Sequence, residues 1–131
     1  MENTKELMSV FERVEKTPAW YGETVLNVMD RNFMGDTVLH TVCSWGDYDA
    51  VKAVLGGGAD VNARGDKGCV PIFNAVIGGN VDIVKALIKS GADLSVTNEW
   101  GRNVFEYAKN VSASKEIIGL LGSCGKSKPA R

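Results

Sequence analysis

Residues Gly35 to Gly68 read GDTVLHTVCSWGDYDAVKAVLGGGADVNARGDKG, and the pattern they carry returns further along the chain. Blocks beginning at Gly35, Gly68 and Gly101 keep a constant offset of 33 residues and agree column by column. Leu39 falls over Ile72 and Phe105, Val51 over Val84 and Ile117, Val54 over Leu87 and Leu120, and Leu55 over Ile88 and Leu121, so all four columns are apolar. Between the first two blocks the match extends to GGADVNARG (Gly57 to Gly65) over SGADLSVTN (Ser90 to Asn98). Each block places a turn, Gly46-Asp47 or Gly79-Asn80, between two short segments with apolar residues at helical spacing, and an extended, turn-rich stretch follows. Units of this size cannot bury their apolar faces alone. They must stack, and both ends of the stack need covers.

The quoted stretch resembles an ankyrin repeat, whose pattern runs Gly-x-Thr-Pro-Leu-His, then Gly, then a Leu-Leu pair, then Gly-Ala-Asp-x-Asn. The resemblance covers Gly35 to about Leu121. It implies an all-α fold: an ankyrin-repeat solenoid of stacked helix pairs with extended β-turn fingers, an N-terminal capping helix and a terminal capping repeat. The Thr-Pro-Leu-His corner is Thr37-Val38-Leu39-His40 in the first repeat, Val70-Pro71-Ile72-Phe73 in the second and Asn103-Val104-Phe105-Glu106 in the third. The Thr-to-His hydrogen bond that braces this corner in the family is therefore expected once. The third block ends near Leu121 without Gly-Ala-Asp, as a capping repeat would.

Ahead of the first repeat, Val28 lies over Val61 and Leu94, which places Val28 to Met34 on the first finger. Leu7, Val10, Phe11 and Val14 fall at i, i+3, i+4 and i+7, the stripe of an amphipathic helix. Asn3 and Glu6 have the spacing of a capping box at its start, and Thr17-Pro18 stops it. The expected organisation is a capping helix and first finger over residues 1–34, repeats over 35–67 and 68–100, a capping repeat over 101–122 and a flexible tail over 123–131.

The 131 residues, 44% hydrophobic with a formal charge of -1, match one globular domain. Basic residues are scattered apart from the tail, which gives no electrostatic reason to expect nucleic acid or an anionic membrane. Residues 1–16 alternate charged and apolar side chains, so neither a signal peptide nor a transmembrane helix is expected, and the expected location is cytoplasmic. Cys43, Cys69 and Cys124 form no CxxC pair, which fits reduced thiols and no metal site.

No catalytic constellation emerges. LLGSCGKS (Leu120 to Ser127) imitates a phosphate loop, but Leu120 stands where the first Gly is required, no strand precedes it and too little chain follows. His40 belongs to the repeat corner, and its i+3 neighbour Cys43 sits in a column of small core residues. No cofactor is expected and the chain reads as non-enzymatic.

Function then falls to the surface. The resemblance implies a concave binding face of finger tips and the exposed sides of the first helices. Carried over by column, this face takes Phe33, Met34, Asp36, Ser44 and Trp45 from the first repeat. The second supplies Asp66, Lys67, Cys69 and Ile77, and the third Glu99, Trp100, Arg102 and Asn110. Trp45 and Trp100 are the expected anchors, because a buried indole combines large apolar area with one donor. Trp20 and Tyr21 stand on the link from cap helix to finger, where packing and binding are equally open. The expected partner is another protein, met by a chain that is monomeric when free. A single face favours an inhibitor or sequestering factor. Small stand-alone ankyrin chains include bacterial immunity proteins that neutralise a cognate toxin. The alternative is an adaptor or assembly factor.

Overall fold

The computed structural model describes residues 4–126. Its helices are α1 (Thr4–Glu15), α2 (Val38–Trp45), α3 (Tyr48–Gly56), α4 (Pro71–Gly78), α5 (Val81–Lys89), α6 (Val104–Asn110) and α7 (Lys115–Lys126). Short 3-10 turns occupy Pro18–Trp20 and Asp66–Gly68. Among the described residues no strand forms beyond an isolated antiparallel bridge between Arg31 and Thr37 at the base of the first finger. The architecture is all-α, in two layers. The inner layer runs α2, α4, α6 and the outer layer α1, α3, α5, α7, each helix packing on the next of its own layer and the pairs closing across the core.

The period of 33 sets this arrangement through a few backbone demands. Each of the first two inner helices ends at a glycine in the left-handed region, Gly46 (φ 72) and Gly79 (φ 77), where a side chain would be strained. Asp47 and Asn80 then cap the outer helices, accepting from the N–H groups of Ala50 and Ile83 respectively. Gly78 has a different reason to be glycine. A Cβ there would overlap the Cys43 carbonyl oxygen, so α4 lies directly against the end of α2. Val38, Leu39, Val42, Val51, Ile72, Ile83, Val84 and Leu87 are fully buried between the layers. Each such side chain contributes about 1.5–3 kcal/mol relative to exposure.

The N-terminal cover is a half repeat. α1 takes the outer-layer place beside α3, burying Val10, Phe11 and Val14. No full inner helix precedes α2. The 3-10 turn stands in its place, and Trp20 is buried there with its indole N–H donating to Thr41 Oγ1 at 2.8 Å. Trp20 therefore packs, whereas Tyr21 beside it is exposed. Asn3, the expected cap of α1, lies outside the described residues. At the other end α7 continues to Lys126, past Leu121 where the repeat pattern stops and into the segment read as a tail. No helix among the described residues is long and apolar enough to cross a membrane.

Candidate functional site

The corners of the repeats carry the chain from finger to inner helix, and each is braced differently. At the first, the Thr37 backbone N–H donates to His40 Nδ1 at 3.0 Å, so that nitrogen carries no proton and Nε2 donates to the Cys69 carbonyl at 2.9 Å. The ring is buried and neutral; burial pushes its pKa below the ordinary value, outweighing the opposing pull of the Cys69 carbonyl and the Asp36 carboxylate. The second corner has no side-chain brace and relies on Pro71 at the first helical turn. The third has a reciprocal pair: Asn103 N–H donates to Glu106 Oε1 at 3.0 Å, and Glu106 N–H to Asn103 Oδ1 at 2.9 Å. The Thr–His brace thus occurs once, and an Asn-x-x-Glu box replaces it in the third repeat. That box has the spacing of a helix start and was legible in the sequence.

The fingers take their shape from a repeated asparagine. Asn32 Oδ1 accepts from the N–H groups of Met34 and Asp36, and Asn98 Oδ1 from those of Trp100 and Arg102. Gly65 occupies the same column of the second finger and has no side chain to offer. There Asp36 reaches across from the first finger and accepts from the Asp66 N–H at 2.9 Å. A Cβ on Gly65 would overlap that carboxylate, so the glycine and the aspartate belong together. Further bonds stitch the row: Arg31 Nη1 donates to the Arg64 carbonyl, Arg64 Nη1 to that of Thr97, and the Glu99 N–H to that of Lys67.

These elements present the expected surface unevenly. Phe33 is 75% exposed, Trp100 57% and Ile77 55%, and Met34 is also exposed. Glu99, Arg102 and Asn110 are exposed polar groups. Asp66 pairs with Lys67 at 3.2 Å, with Lys67 held at φ 60. Asp36 is committed to the second finger, and the Ser44 hydroxyl donates to the Thr41 carbonyl within α2. Trp45 is half buried against the core. The Arg13 guanidinium of α1 stacks on its ring, 4.6 Å from the centroid, and also bonds Asp47 Oδ2 at 2.9 Å. Its column holds Gly78 and Val111, so nothing in the repeat itself reserves a tryptophan for that place.

Two hollows lie along the finger and inner-helix face. One, of about 140 Å³, is bounded by Asp36, Asp66, Cys69, Phe73, Asn74 and Ile77. The other, of about 240 Å³, is bounded by Asn98, Trp100, Arg102 and Asn110. Tyr107 of α6 lines both and packs edge-on against Phe73, ring centroids 5.2 Å apart. Tyr107 and Asn74 were missed in the sequence. The signal was present, since they stand three positions before Asn110 and Ile77 on the same helical face. Burial raises the pKa of the Tyr107 hydroxyl. Burial and the carboxylates of Asp36 and Asp66 likewise raise the Cys69 thiol.

Reactive chemistry finds little support. Burial drives the Cys43 thiol far above its usual range, which makes it inert beside His40. Leu120 to Lys126 is helical and forms no phosphate loop; Ser127 lies outside the described residues. Among the described residues no three His, Cys, Asp or Glu side chains are grouped to hold a metal ion.

Stacked helix pairs joined by projecting fingers define a repeat scaffold of the interaction-module class. The chain belongs to the ankyrin repeat family: the family model for ankyrin repeats (3 copies) matches residues 9–98 and 39–128. It is also 33% identical over 92 residues to an ADP-ribosylation factor GTPase-activating protein, AGD4, of Arabidopsis thaliana. That match covers 69% of this chain and 12% of the Arabidopsis protein, so the activity in its name stays with that protein. Ankyrin repeats are protein–protein interaction modules.

Proposed function

We propose that this chain acts, without catalysis, by binding another protein through its finger tips and inner helices. The observation that carries the reading is the exposure of Phe33, Ile77 and Trp100 on fingers and inner helices whose packing does not require them. Outer-helix surface positions such as Lys52 and Lys85 are polar, although Met8 of α1 and Tyr48 of α3 are also exposed. A face of this kind acts by covering part of its partner, which favours an inhibitor or sequestering factor, an immunity protein against a cognate toxin being one form. A specific observation favours the second reading, an adaptor. Tyr21 and Leu26, on the segment before the first finger, are 88% and 77% exposed and offer a second apolar contact.

The test is capture of the partner from the native host, followed by titration with purified variants. Phe33→Ala, Ile77→Ala and Trp100→Ala should each weaken the complex, by roughly 2 kcal/mol at an anchor. Lys52→Ala and Lys85→Ala should be neutral. Normal binding by all three apolar variants would show the face to be wrongly assigned. Inhibition of the partner's activity in the complex favours the sequestering form, whereas loss of a third component on Tyr21→Ser or Leu26→Ser favours the adaptor.

A further inference from the structure

The hollow beneath the third finger is rich in hydrogen-bond donors. Its bounding side chains are Trp100, Arg102, Tyr107, Asn110 and Asn98, and every one of them carries a hydrogen-bond donor. No carboxylate lines it, in contrast to the neighbouring hollow with Asp36 and Asp66. Arg102 is exposed and makes no ion pair among the described residues. Asn98 is buried, and its Oδ1 is already used by the N–H groups of Trp100 and Arg102, which fixes the amide orientation. Its Nδ2 is thereby left as a buried donor without an acceptor.

We propose that this hollow is a carboxylate subsite, receiving the side chain of an Asp or Glu from the partner protein. The inference rests on the protein-binding reading and specifies the partner's chemistry. A guanidinium offers two parallel N–H groups that match a carboxylate. Arg102 is the one cation lining the hollow, so a singly charged carboxylate is balanced. A phosphate dianion would exceed the single positive charge of Arg102. The subsite is particular to the third finger. The column of Arg102 holds Asp36 in the first repeat and Cys69 in the second, so the unpartnered Asn32 Nδ2 of the first finger has no cation in the equivalent place.

The experiment uses the full chain labelled with ¹⁵N and read by NMR at the tryptophan indoles. The probes are acetylated, amidated alanine pentapeptides with Glu, Gln or Arg at the centre, and inorganic phosphate. The Glu peptide should shift the Trp100 indole N–H saturably, while the buried Trp20 indole stays still as an internal control. The Gln peptide should bind about tenfold more weakly, Arg102→Gln should abolish the response and Arg102→Lys should retain part of it. Equal binding by the Gln peptide, preference for the Arg peptide or for phosphate, persistence in Arg102→Gln, or no saturable shift each overturn the proposal. Because no partner protein is present, those results leave the binding face itself to be decided by Phe33 and Ile77 in the capture experiment.

Discussion

His40 Nε2 donates to the Cys69 carbonyl oxygen at 2.9 Å while Nδ1 accepts from Thr37, so one imidazole holds its own helix start and the next repeat's finger together. His40→Ala should cost about 2–3 kcal/mol, more than a single hydrogen bond, because the Cys69 carbonyl and Thr37 N–H lose their partner in a buried site. The pH dependence has a definite sign. The folded pKa lies below the ordinary 6.5, so the unfolded chain takes up the proton first. The neutral ring's contribution is complete above that value and declines as pH falls below it. Urea unfolding at several pH values should show this decline in the wild type and its loss in His40→Gln.

Two adjacent glycines at the end of α3 should respond differently. Gly56 is helical and an added Cβ meets nothing within 4 Å, so Gly56→Ala should stabilise by about 0.5–1 kcal/mol. At Gly57 the Cβ would come to 3.0 Å from both Leu7 Cδ2 and Val28 Cγ1, which removes the gain. Thermal unfolding of the two variants is a sufficient comparison. A destabilised Gly56→Ala would place the end of α3 before Gly56.

Gly78 and Gly79 separate steric from conformational cost. Gly78→Ala forces α4 away from the Cys43 carbonyl and should lose roughly 1–3 kcal/mol, as overpacking does. Gly79→Ala meets open space but must adopt φ 77, for a loss of about 1 kcal/mol. If Gly78→Ala unfolds at the wild-type denaturant midpoint, α2 and α4 are not in such close contact.

The two candidate anchors should part company. Trp100→Ala should change stability by less than about 0.5 kcal/mol, as expected for an exposed side chain. Trp45→Ala should destabilise by about 2 kcal/mol or more, since it removes half-buried area and the ring under Arg13. The Asp47 carboxyl is held below its usual range chiefly by the Ala50 N–H and also by Arg13. Its stabilisation is present above the ordinary carboxylate range and is lost as pH falls through the folded value. Asp47→Ala should remove that acid-side slope along with the cap, which unfolding curves between neutral and acidic pH would reveal.

What the sequence determined by itself is the scaffold. A 33-residue offset carrying four apolar columns can be satisfied only by stacked helix pairs, because an isolated unit leaves its apolar face in water. The glycines after α2 and α4, the caps that follow them and the amphipathic stripe from Leu7 to Val14 are local signals, and each marks the element found there. The fate of a surface column was not local. Trp45 and Trp100 both read as exposed on column position, yet only Trp100 is open, because α1 brings Arg13 across sequence to cover Trp45. Asp36 read as part of the binding face, but the missing side chain at Gly65 draws it into the second finger. Tyr107 became the shared wall of two hollows only when α6 packed beside α4. A repeat pattern specifies which side chains must be inside. Which of the remaining ones stay free depends on neighbours supplied by other repeats and by the cap, and those meet only in the folded stack.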